Sequence, residues 1–236
     1  MMKLQPYGDS ALLVSFEKRI DPAISQQVIA LHKALKDHAG ITFSIPAYQS
    51  LTLGFNSTYL NYNGLEKLVK ATFDQLDEIT TNSGRKVTIP VCYDDTYAPD
   101  MSEVTGLTGC SKQEIVQLHT SHEYHVYMLG FVAGFAYMGT LPEALKSPRK
   151  ETPRLKVHQG AVGLAGLQTG IYPAEAPGGW QIIGTTPMKM FDPEKEKPNF
   201  LEAGDKVKFR AISEDEYKII QLKIETEIFE PEISNG

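Results

Sequence analysis

The sequence predicts two folded units, an α+β module followed by an all-β module that closes into a barrel or a folded-over sheet. Three observations carry this prediction. The first third alternates strand-like apolar runs with amphipathic helical ones, the chain beyond Tyr124 is a series of short strands cut by glycine and proline turns, and 236 residues suffice to bury two cores.

Ser10 to Phe16 reads as a short strand, after which Asp21-Pro22 supplies an N-cap and a first-turn proline for a helix to about His38. Ile24, Val28, Leu31 and Leu35 fall on one face of it. Ile41 to Ile45 and Ser50 to Phe55 read as two strands around Pro46-Ala47-Tyr48, Gly64 to Ile79 as a second amphipathic helix, and Lys86 to Tyr93 as a closing strand. The order β-α-β-β-α-β is the split arrangement of a ferredoxin-like domain, which places the first domain at residues 1–90. Residues 91–123 read as a linker, an acidic loop leading into two short helices, the second opened by the capping sequence Ser111-Lys112-Gln113-Glu114. Residues 124–236 form the barrel, with strands in EYHVYMLGF, GAVGLAG, GGWQIIGTT and DKVKFRA.

Composition excludes several function classes. Hydrophobic residues at 42% and charged residues at 22% describe an ordinary globular protein rather than a disordered one. The net charge of -6 argues against a nucleic-acid partner, which needs a basic surface. No run approaches the roughly 20 apolar residues that span a bilayer, and MMKLQPYGDSALLVSF lacks the pattern of a leader, so a cytoplasmic protein without a membrane partner is expected. Cys92 and Cys110 are too few for a disulfide framework or a metal knuckle, and read as idle thiols.

The run from Gly130 to Pro187 holds most of the residues suited to chemistry. Its glycines Gly160, Gly163, Gly166 and Gly170 match neither phosphate-loop pattern and read as turns and bulges. Arg149 and Arg154, spaced across PRKETPR on a proline-restricted backbone, suit a carboxylate or phosphate. His119, His122 and His125 do not share a helical face, so no metal is expected, and His119 stands as a candidate general base. Tyr137, Gln168, Tyr172 and Trp180 combine apolar bodies with polar handles and suit a ligand pocket; Trp180, after Pro177-Gly178-Gly179, would project into a cleft or onto a partner. No Ser-His-Asp or Cys-His arrangement is legible and GxSxG is absent, which argues against covalent catalysis by this chain alone.

The ordered motifs YGDSALLV, IPVCYDD, EIVQLHTSHEYHVYMLGF, GFAYMG, SPRKETPRLKV, GLAGLQTGIYP, PGGWQIIG and GDKVKF span nearly the whole chain. In them the chain resembles the family of KipI-type proteins, 5-oxoprolinase B subunits and allophanate hydrolase subunit 1. The resemblance implies a ferredoxin-like α+β domain followed by a cyclophilin-like β-barrel. It also implies the B subunit of an ATP-dependent 5-oxoprolinase, inactive alone, opening 5-oxoproline to L-glutamate beside a homologous barrel subunit and a TIM-barrel-like one, subunits A and C. ATP then binds at the level of the complex, in or shared with a partner. His119, Arg149 and Arg154 are the catalytic candidates, and Phe131, Phe135, Tyr137, Gln168, Tyr172 and Trp180 the substrate-binding ones. The chain departs from the family pattern at Ala133, at Ala161 beside His158, and at Thr185, where a hydroxyl and an arginine are lost. Some relatives resemble inhibitors of a sensor histidine kinase, and for that alternative Phe131, Phe135, Tyr137 and Trp180 would be a docking surface.

Overall fold

The computed structural model describes residues 2–76 and 84–235, which form two compact units, Met1–Asn82 and Ser83–Gly236. The first unit runs β1 (Lys3–Pro6), β2 (Ala11–Ser15), α1 (Pro22–Leu35), β3 (Ile41–Pro46), β4 (Ser50–Phe55) and α2 (Tyr62–Gln75). Local chemistry explains the helix starts. Asp21 accepts from the amides of Ala23 and Ile24 with Pro22 in the first turn, and Asn61 accepts from Gly64. The predicted stripe Ile24, Val28, Leu31 and Leu35 is buried, and it packs with Leu65 and Val69 of α2 against Leu12, Val14, Leu51 and Leu53 of the sheet. The expected extension of α2 to Ile79 lies outside the described residues.

The sheet is antiparallel in the order β1-β2-β4-β3, and Lys86 to Tyr93 is not in it. The expected first domain at 1–90 is corrected accordingly. The edge place beside β2 is filled by β1 from the start of the chain, which pairs Lys3 with Ser15 and Pro6 with Leu12. The displaced strand, β5 (Lys86–Cys92), joins the second unit instead. Its burial gives the reason: Val87, Ile89, Val91 and Cys92 are all buried, whereas an edge strand covered on one face would bury every second residue.

The second unit continues with α3 (Met101–Thr108), α4 (Lys112–Ser121), β6 (Glu123–Leu129), β7 (Ala136–Gly139), β8 (Arg154–Val157), β9 (Ala161–Ala165), β10 (Gln168–Ile171), β11 (Ala176–Gly178), β12 (Gln181–Thr185), β13 (Lys206–Ile212), α5 (Glu214–Glu225) and β14 (Ile233–Ser234). Seven strands close a barrel in the order β12-β9-β10-β7-β6-β13-β5, with β12 returning to β5 at the pair Thr185 and Cys92. Only β13 and β5 run parallel among these pairs. The interior is packed by Val91, Tyr124, Met138, Leu164, Ile183 and Phe209, among others.

Two further expectations change here. Residues 91–123 are not a linker, because Met101, Val104 and Ile115 of α3 and α4 are buried in the barrel core. The capping box of α4 forms as expected, Ser111 accepting from the Glu114 amide while Glu114 accepts from the Ser111 amide. The second unit is also not all-β: Ser213 caps α5 by accepting from the Glu216 amide, and Ile220 packs inward. The signal was present in Ser213-Glu214-Asp215-Glu216 but was masked by the strand that ends one residue earlier.

The closing seam has no room for a side chain at Gly184, where an added Cβ would lie 2.6 Å from Val91 Cγ1 and 2.9 Å from the Cys92 carbonyl oxygen. Gly184→Ala is therefore expected to destabilise the second unit by about 1–3 kcal/mol, since both neighbours are packed and one is backbone. Urea unfolding followed by far-UV circular dichroism measures it, and an unchanged midpoint would show that the seam opens freely.

Candidate functional site

Between β6 and β7 the chain makes a tight loop in which the Gly130 amide donates to the Phe135 carbonyl and the Phe135 amide to that of Val132. The loop turns Phe135 inward, where it is 1% exposed, and leaves Phe131 outward at 60% with φ of 69°. A bulky residue at positive φ is strained by roughly 1–3 kcal/mol, and the closed loop supplies the restraint that holds it.

Phe135 is the centre of an aromatic cluster. Its ring meets those of Phe131, Tyr137, Tyr172 and Trp180 at centroid distances of 5.8, 4.8, 5.2 and 5.4 Å, with interplanar angles between 60° and 88°. Each such edge-to-face pair adds about 0.5–1.5 kcal/mol beyond its buried area. The packing dictates nearby glycines: a Cβ at Gly170 would lie 2.9 Å from the Phe135 ring, and one at Gly178 would lie 2.1 Å from the Tyr172 hydroxyl. These rings line a cleft of about 240 Å³ together with Pro153, Pro177 and Gly179.

The lining also carries charge. Arg149 and Lys150 face the cleft from the proline-bounded segment before β8, and the Lys150 amide is anchored on the Gly179 carbonyl at 2.7 Å. Asp100, 2% exposed at the start of α3, accepts from the Ile182 amide at 2.7 Å, from Lys150 Nζ at 3.0 Å and from both terminal nitrogens of Arg154. Lys150 also pairs with Glu103, whose second oxygen accepts from Gln181 Nε2 at 2.8 Å. Burial pushes the Asp100 carboxyl up, but the hydrogen bonds from Arg154, Ile182 and Lys150 outweigh it and hold it below the usual range. For Lys150, burial works against the charge, and the bonds to Glu103 and Asp100 reverse it, so its pKa is raised. Arg149 is exposed and forms no ion pair among the described residues.

Six of the nine sequence candidates thus meet at one cleft, namely Phe131, Phe135, Tyr137, Arg149, Tyr172 and Trp180. Three do not. Arg154 is committed to Asp100 in a bidentate pair. Gln168 sits in β10 opposite Gly139 and Ala165, outside the cleft lining. His119 is corrected as a general base: it is fully buried, with Nδ1 2.7 Å from the Tyr93 hydroxyl, Nε2 3.0 Å from Thr169 Oγ1, and its ring stacked on Phe209 at 4.4 Å. Burial lowers its pKa to about 3, so it is a neutral core residue.

The docking surface is corrected too, because Phe135 and Trp180 are 1% and 2% exposed and cannot anchor a partner. Asp100, Glu103 and Lys150 were missed by sequence reasoning. The signal that could have found them was the pairing of the acidic stretch around Asp100 with the basic PRKETPR segment. His158 Nε2 lies 2.9 Å from Thr185 Oγ1, and that hydroxyl donates to the Tyr97 carbonyl at 2.8 Å. Thr185 can then only accept from His158, which places the imidazole proton on Nε2.

His119 makes stability depend on pH. Its folded pKa of about 3 lies below the ordinary 6.5, so its contribution is complete above pH 6.5 and is lost as pH falls towards 3. The urea midpoint should fall between pH 7 and pH 5, and His119→Phe should flatten that slope; an identical slope in both proteins would remove His119 as its source.

Among the described residues no group of three or more His, Cys, Asp or Glu side chains is placed to hold a metal ion, and no helix is long and apolar enough to cross a membrane. A family profile described as carboxyltransferase domain, subdomain C and D, matches residues 2–201. The chain is 39% identical over 228 residues to a Bacillus subtilis (strain 168) protein named as the B subunit of 5-oxoprolinase, covering 91% of this chain and 95% of that one. It is 37% identical over 203 residues to the protein of the same name from Escherichia coli O157:H7, covering 86% and 92%. The crystal structure of TTHA0988 superposes with a TM-score of 0.78 at 34% identity, covering 86% of this chain but 40% of that longer one. With a profile that takes in the aromatic cleft and its charged wall, and relatives matched over nearly their full length, the chain belongs to the carboxyltransferase subdomain C and D family, in the branch of the 5-oxoprolinase B subunits.

Proposed function

We propose that this protein is the B subunit of an ATP-dependent 5-oxoprolinase complex, and that its aromatic cleft holds the 5-oxoproline ring. The observation that carries the reading is a cleft walled by edge-to-face aromatic rings with one unpaired guanidinium, Arg149, in a chain similar to 5-oxoprolinase B subunits over nearly their full length. A flat lactam ring packs on the half-buried ring of Tyr137, which Trp180 backs from the core, and its carboxylate takes the Arg149 guanidinium in a charge-assisted bond. The reaction adds water to the lactam carbonyl, breaks the ring carbon–nitrogen bond and leaves the proton on nitrogen, giving L-glutamate.

ATP, when bound by the complex, supplies the driving force for opening a stabilised amide. The residues of the cleft do not fit its phosphates: the lining comes from loops and strands, with neither a phosphate loop nor a helix N-terminus. Subunits A and C, a homologous barrel and a TIM-barrel-like protein, therefore hold the nucleotide, while this chain by itself forms the 5-oxoproline cleft. The ferredoxin-like description fits the first unit with β1 standing in for the closing strand, and the cyclophilin-like description fits the barrel. The complex works in the cytoplasm.

Reconstitution tests the reading. ATP-dependent release of glutamate from 5-oxoproline should require this chain together with subunits A and C, and activity of the partners without it would overturn the proposal. Arg149→Ala should raise KM for 5-oxoproline by about tenfold or more while largely preserving kcat, because a carboxylate contact is made equally in ground and transition states.

A further inference from the structure

We infer that the cleft is built for a monoanion, with Asp100 as the residue that sets this specificity by neutralising Lys150 and Arg154 and leaving Arg149 as the single uncompensated cation of the described lining. The inference rests on the reading that the cleft is the ligand site and goes on to say which class of ligand it accepts.

The charges around the cleft balance in pairs. Lys150 Nζ is 3.0 Å from Asp100 Oδ1 and also pairs with Glu103, while Arg154 spends both terminal nitrogens on Asp100. Two cations face two carboxylates, which leaves Arg149. Asp100 keeps its negative charge at neutral pH because its carboxyl is held below the usual range. Glu103 is likewise held low by Lys150 and Gln181.

Size agrees with charge. A cleft of about 240 Å³ lies at the small end for a ligand pocket and suits one planar ring with a carboxylate. A nucleotide polyphosphate brings several negative charges at close spacing, and a single guanidinium beside two carboxylates does not neutralise them. The cleft thus admits a small monocarboxylate and rejects the phosphates of ATP.

Trp180 is the only tryptophan of the chain and lies in the cleft wall, so its fluorescence reports on this site alone. The full-length chain is titrated with 5-oxoproline and, separately and in competition, with inorganic tripolyphosphate. The expected result is a saturable Trp180 response to 5-oxoproline, weakened about tenfold or more by Arg149→Ala, and no response to or competition from tripolyphosphate. Asp100→Asn should release Arg154, leave Lys150 balanced by Glu103 alone, and create tripolyphosphate competition through the added net positive charge. If circular dichroism shows that this variant does not fold, Glu103→Gln, on the more exposed side of the network, reads out the same gain through Lys150. Tripolyphosphate that displaces 5-oxoproline from the unaltered protein overturns the charge assignment and leaves the cleft as the ligand site. No gain in either folded variant overturns the role of Asp100, and no Trp180 response to 5-oxoproline removes the cleft reading and this inference with it.

Discussion

The carboxylate of Asp100 joins three distant stretches of chain, and the geometry of the cleft depends on it. Its two oxygens take the Ile182 amide of β12, Lys150 of the proline-bounded segment and Arg154 of β8, while its own amide donates to the Ile182 carbonyl. A buried carboxylate without such donors would shed its charge, so the cations are as necessary to Asp100 as it is to them. The network fixes where α3 meets the barrel and holds Lys150 in the cleft lining. Nothing at the helix start competes for the carboxylate, because Asp100 makes no side-chain cap bond to α3.

The aromatic wall is organised in a different way. Phe135 lies at the centre of edge-to-face ring contacts that have no net charge and need no partner from solvent. The aromatic lining is held by close packing and glycine-sized gaps, and Lys150 beside it by ion pairs. A ligand in the cleft loses little to reorganisation of these groups. Phe131 is the exception, exposed and at positive φ on the rim, held there only by the loop that closes on Phe135.

Much of the local structure was legible in the residues. Asp21-Pro22 marked the start of α1, the spacing of Ile24, Val28, Leu31 and Leu35 marked its buried face, and Ser111 with Glu114 marked α4. The cleft was legible in part, since Arg149, Tyr137, Tyr172 and Trp180 stand out by their chemistry within one run of sequence. His119 misled because a histidine signals catalysis by type, whereas its role is set by Tyr93, Thr169 and Phe209, which come from the end of β5, from β10 and from β13.

By itself the sequence determined what depends on near neighbours: helix starts, strand alternation, the family, and the residue types able to bind a small acid. Only the tertiary structure decided what depends on distant ones. Lys86–Cys92 reads the same whether it closes the first sheet or the barrel, and long-range pairing with β13 and β12 selects the barrel. Arg149 and Arg154 are equivalent in sequence, both on one basic segment. One is free and the other is spent because Asp100, 54 residues before Arg154, is folded against it. Electrostatic pairing acts through space at a few ångströms, and spacing along a chain does not carry that information.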